Sequence, residues 1–149
     1  MTSNPILDSL PTQLNEEATR FLLNYGKRIE YKTGETIVRE GEDCDEIFIV
    51  LDGSARVIKN DAAGHSNVIA TVGKGAIIGE MGIFLDLKRS ATIAADSPLT
   101  AIRLTNETFI RAIQDFPAIP LRLLRSLSGK LHEINQKLVL ARHSHHMLY

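Results

Sequence analysis

The apolar positions of this chain change period twice. Leu14, Ala18, Phe21 and Leu22 recur at three- and four-residue spacing, which predicts an amphipathic helix over about 11–25. Thr12 is a candidate cap, Glu16 and Glu17 sit in the first turn, and Gly26 is a candidate stop. From about 29 to 105 the texture becomes short apolar or alternating runs. These are Ile37-Val38, Ile47–Leu51, Ala55–Ile58, Val68–Val72, Ala91–Ala94 and Leu99–Leu104. Turn signals separate them at Glu40–Asp43, Asp52-Gly53, Asn60–Gly64 and Gly73-Lys74-Gly75. Strands this short, with no helix between them, predict an antiparallel sandwich or roll. From about 106 to 142 the helical period returns. Thr105 can cap a helix over Asn106–Gln114, Pro117 breaks it, and Pro120 fits the first turn of the next. The prediction is one mainly β domain over 1–149 with flanking helices.

The last helix carries an apolar stripe at Leu124, Leu127, Leu131, Ile134 and Leu138. It makes about two heptads, short of a full coiled coil. The flanks offer Lys130, Asn135, Lys137 and Arg142, which form no opposite-charge pairs between parallel helices. Gly129 inside the helix costs about 1 kcal/mol relative to Ala. The stripe can fold back on its own roll or pair with a second chain. It runs past what one small roll covers, so the expectation is a homodimer through Leu124–Leu138.

Composition narrows the function classes. At 149 residues the chain can bury a sizeable core. A net charge of −1 supplies no field for nucleic acid or a membrane surface. No apolar run approaches membrane-spanning length, and the first residues lack a signal-peptide pattern, so a cytoplasmic protein is expected. Cys44 is the only cysteine, which excludes an internal disulfide and a cysteine-ligated iron–sulfur cluster. Asp52-Gly53 and Asp61…Gly64 lack the ligand spacing of a calcium loop and read as hairpin turns. His143, His145 and His146 near the C-terminus are expected in a disordered tail rather than at a metal. His65 falls in a turn and His132 on the last helix, neither with a partner at ligand spacing, which counts against a metal-dependent roll enzyme.

The chemistry concentrates between Ile78 and Ala94. Gly79 and Gly82 let a ligand approach the main chain. Glu80 lies in a run where a charge is poorly solvated, and Arg89 is followed by the small residues Ser90 and Ala91. A phosphate needs a guanidinium fork plus amide donors, whereas a carboxylate would hold a hydroxyl and repel the phosphate. The pair therefore suggests a sugar phosphate. Spacing alone favours a plainer reading, in which Glu80 and Arg89 pair with each other across a turn.

Gly79-Glu80-Met81-Gly82, a short loop, and Arg89-Ser90-Ala91-Thr92 resemble the phosphate-binding cassette of the cyclic nucleotide-binding domain family. The likeness extends through Gly34, Ile37, Glu40-Gly41-Glu42, Ile47–Val50 and Gly53-Ser54-Ala55. It departs at Lys88, where the family often has proline. The resemblance implies an eight-stranded antiparallel jelly roll with an N-terminal helix and a long C-terminal helix. It also implies a regulatory module rather than an enzyme, without cofactor or metal, that binds a 3′,5′-cyclic nucleotide, cyclic AMP ahead of cyclic GMP. In that picture Arg89 takes the phosphate with the amides of Gly82 and Ala91 and the Ser90 hydroxyl. Glu80 takes the ribose 2′-hydroxyl, and Ile69 and Val72 pack the purine. The last helix closes over the base, with Asn135 as its polar contact, and its movement is the signal. The alternative is a ligand-free dimerisation or docking module of the same fold. Few residues follow Arg142, so no DNA-binding segment is expected, and a separate effector protein would receive the signal.

Overall fold

The structure is a computed structural model, and it describes residues 16–146. Helix α1 (Glu16–Tyr25) leads into strands β1 (Lys27–Tyr31), β2 (Thr36–Val38), β3 (Glu46–Asp52), β4 (Ala55–Asn60), β5 (Ser66–Val72) and β6 (Ile77–Ile78). Helix α2 (Glu80–Leu85), strands β7 (Thr92–Ala95) and β8 (Leu99–Thr105), and helices α3 (Asn106–Asp115) and α4 (Ala118–His146) complete it. All strand pairs are antiparallel. One sheet has the order β1-β8-β3-β6, the other β2-β7-β4-β5, and together they form an eight-stranded jelly roll with flanking helices.

The two sheets differ in what covers them, and the sequence shows why. Strand β3 is apolar at every central position because both its faces are buried. Phe48 and Val50 point between the sheets with Val38, Ala55, Ile78, Ala95, Leu99 and Ala101. Ile47 and Ile49 point the other way, onto a second core with Leu22 of α1, Phe109 of α3, and Ile119 and Leu123 of α4. Strand β5 lies at the edge of the other sheet and is exposed along nearly its whole length.

The element boundaries follow local chemistry. Thr105 caps α3, its hydroxyl accepting from Thr108 N–H at 3.2 Å. The predicted cap Thr12 and the stripe residue Leu14 lie outside the described residues. Two expectations are corrected. The run of strands is not free of helix, because α2 interrupts it inside the cassette. The tail with His143, His145 and His146 is not disordered in backbone, since α4 is helical through His146. Neither Pro nor Gly occurs between Lys130 and His146, so a helix already nucleated continues. Among the described residues no helix is long and apolar enough to cross a membrane.

Candidate functional site

A cleft of about 160 Å³ opens between the cassette and the inner side of the roll. Val38, Val57, Val72 and Ile93 supply apolar wall, and Gly79, Glu80, Met81, Gly82, Arg89, Ser90 and Ala91 come together around it. The cassette holds its shape through two close approaches. Gly79 turns the chain from β6 into α2 at φ 102°, and a Cβ there would run into Nη1 of Arg89. Gly82 leans on Cys44, so a Cβ at Gly82 would collide with the Cys44 side chain. The Cys44 thiol donates to the Gly79 carbonyl at 3.3 Å. Burial pushes that thiol above its ordinary range, opposed by the nearby Arg89 charge, so it stays a protonated donor at neutral pH. Asp86 ends α2 at φ 53°, its N–H returning to the Gly82 carbonyl.

Arg89 is 9% exposed and held by main chain. Its N–H donates to Glu42 O at 2.8 Å, its carbonyl accepts from Gly41 N–H at 2.9 Å, and Nη2 donates to Glu46 O at 2.9 Å. The guanidinium lies 5.9 Å from the centroid of the Phe48 ring. Nη1 is buried with no hydrogen-bond partner, and among the described residues no carboxylate pairs with the guanidinium. A buried cation with an idle donor is costly unless an anion meets it. Next to it Lys88 bridges to Asp43 at 2.7 Å. That contact holds the Asp43 carboxyl below, and the Lys88 ammonium above, their ordinary ranges. The bridge ties the cassette loop to the β2–β3 turn without a proline.

Glu80 is 7% exposed and does not pair with Arg89. Its Oε1 lies 3.4 Å from Nζ of Lys130 on α4. The plainer reading, a Glu80–Arg89 ion pair, is therefore overturned: each charge faces the cleft with its own surroundings. Lys130 also lines the cleft, together with Cys44.

Two residues singled out from the sequence do not line the cleft. Val57 pairs with Ala70 and Ile58 with Val68, so Ile69 is an extra residue at a bulge, 58% exposed, while Val72 faces inward opposite Ala55. Asn135 is exposed on α4, roughly 7 Å further along the axis than Lys130 at 1.5 Å per residue. The sequence reading missed Lys130 and Cys44. Lys130 had one signal, its place one residue before Leu131 on the edge of the apolar stripe.

The sequence profile of the cyclic nucleotide-binding domain matches residues 28–116. The chain belongs to the cyclic nucleotide-binding domain family. The matched segment contains all of the cassette and stops before α4. The family fold is shared with the catabolite activator protein of Thermus thermophilus. That solved structure is 26% identical, with a TM-score of 0.76 over 88% of this chain and 62% of the other. Among curated relatives, a CRP-like cAMP-activated global transcriptional regulator of Mycobacterium tuberculosis is 26% identical over 110 residues, 74% of this chain and 49% of that protein. A cGMP-dependent protein kinase of Eimeria tenella is 35% identical over 85 residues, 57% of this chain and 8% of that protein. The chain spans about half or less of the length of these curated relatives.

Proposed function

We propose that this domain is a regulatory module that binds a 3′,5′-cyclic nucleotide in the cleft, cyclic AMP ahead of cyclic GMP. The observation that carries the reading is Arg89: a buried guanidinium without a carboxylate, one nitrogen idle, beside a glycine that leaves it room. A cyclic phosphate monoanion meets that need. Nη1 of Arg89 takes the phosphate, with the amides of Gly82 and Ala91 and the Ser90 hydroxyl around it. Glu80 accepts from the ribose 2′-hydroxyl, and Val72 with Val57 and Ile93 offers the apolar wall. Asn135 reaches the base only after α4 shifts toward the cleft. Cyclic AMP stands ahead on the resemblance to cAMP-activated regulators, and calorimetric titration reads the order directly.

The output reading also rests on α4. Leu124, Leu131, Ile134 and Leu138 are 52–60% exposed, while Leu127 packs against the core. The exposed stripe is the proposed face of a homodimer, and movement of α4 is the proposed signal to a separate effector protein. Sedimentation velocity at micromolar concentration checks the dimer; a clean monomer removes it. Calorimetric titration with cyclic AMP, cyclic GMP and AMP checks the ligand. A cyclic nucleotide binds and AMP binds far more weakly, because its second phosphate charge meets Glu80. No heat from either cyclic nucleotide at millimolar concentration favours the docking-module reading instead.

A further inference from the structure

The carboxylate that would hold a ribose hydroxyl already has a donor. Lys130 lies 3.4 Å from Glu80, and their side chains differ sharply in exposure, 56% against 9%. The acid is anchored. It opens α2 behind the Gly79 turn, in a cassette wedged against Cys44. The lysine rides on a loosely covered stretch of helix, with Leu131 beside it 59% exposed and Leu124 also 59% exposed. It also lies beyond the segment that the family profile matches. A buried carboxylate needs some donor at all times, because leaving it bare costs more than either donor gains. An ammonium and a hydroxyl are both donors, and they would approach the same oxygens.

We propose that Lys130 is a built-in competitor of the ligand's ribose 2′-hydroxyl for Glu80. The inference rests on the cyclic nucleotide reading of the cleft. Without ligand, the ion pair ties α4 to the cassette. A ribose hydroxyl that donates to Glu80 releases Lys130, whose half-exposed ammonium passes into water at little cost. A ligand lacking that hydroxyl leaves the tie in place. Lys130 is then the residue that converts recognition of the sugar into release of α4 from its ligand-free seat, which permits the shift that brings Asn135 to the base. It acts through Glu80 and needs no contact with the ligand.

The test is calorimetry with cyclic AMP and 2′-deoxy cyclic AMP on the wild type, Lys130→Met, Lys130→Arg, Glu80→Gln and the Lys130→Met/Glu80→Gln double variant. Methionine keeps the apolar stem and removes the charge. Lys130→Met should bind cyclic AMP about two- to fivefold more tightly than the wild type, the range of a half-exposed ion pair. Its affinity for the 2′-deoxy ligand should not change, Lys130→Arg should stay near wild type, and the double variant should bind as Glu80→Gln does. Equal weakening of both ligands by Lys130→Met would make the lysine a brace or a direct contact and overturn the proposal. So would no change with either. If the wild type binds neither ligand, the cyclic nucleotide reading itself fails, and this inference with it.

Discussion

Arg89 and Glu80 are both buried and both face one cleft, yet they are held in opposite ways. Arg89 is fixed by the roll alone. Its contacts are carbonyls and amides of the β2–β3 turn and β3, with an aromatic ring at its side. Glu80 has its partner on α4, a helix that reaches the cleft at Lys130 and presents exposed leucines around it. One half of the site is preorganised and the other is conditional. A preorganised donor adds affinity because nothing reorganises on binding. A conditional pair adds less affinity, but it makes the state of the helix depend on what occupies the cleft.

That contrast can be broken first at Arg89, where the largest effect is expected. Arg89→Ala removes charged bonds worth about 1.5–3 kcal/mol each, and two lost N–H bonds lower cyclic AMP affinity by about two to four powers of ten. It also leaves the Glu46 carbonyl without its donor, so the melting temperature falls as well. Arg89→Lys keeps a charge but cannot hold Glu46 and a phosphate in one plane, and it recovers only part of the affinity. Calorimetry read beside a thermal melt separates the two losses. Equal affinity for Arg89→Ala and wild type would remove the phosphate assignment.

Glu80→Ala sharpens the other side, with a smaller effect. One charge-assisted bond lost to the ribose lowers cyclic AMP affinity by roughly ten- to a hundredfold, partly offset by release of Lys130. With 2′-deoxy cyclic AMP the hydroxyl is already absent, and the same substitution changes little. A double-mutant cycle between the residue and the hydroxyl reads this coupling, and additive losses would sink the ribose assignment.

Most of the roll was legible because sheet periodicity and glycine turns are local signals. The apolar run Ile47–Leu51 reads as a strand from the sequence, and its burial on both faces explains why it does not alternate. Two of the cassette's four charges stand out for a similar reason: Glu80 sits between glycine and apolar residues, and Arg89 is followed by the small residues Ser90 and Ala91. Helix α2 was hidden because its six residues give less than two turns, too few to show a period. Ile69 was misplaced by one bulge, since a single extra residue turns a strand's inward face outward. Lys130 was hidden because its partner lies 50 residues earlier in the chain. Beside the leucine stripe it reads only as a solvated flank, and no local pattern reports a contact between a helix and a distant turn.

The contact between Gly79 and Arg89 also constrains how such a chain can diverge. The space a side chain would need at Gly79 is filled by Nη1 of Arg89, and the backbone there is left-handed. A descendant therefore has an ordered path. While the arginine stays, a substitution at Gly79 must displace a buried cation and also accept a strained turn, at about 1–2 kcal/mol for the turn alone. Once the arginine is gone, the hardest obstacle disappears, and what remains is the turn and a tight approach to the Glu46 carbonyl at 3.1 Å. Loss of the arginine should come before loss of the glycine in any lineage that gives up the ligand. A chain that keeps the glycine but not the arginine has taken the first step, and the reverse combination should be scarce.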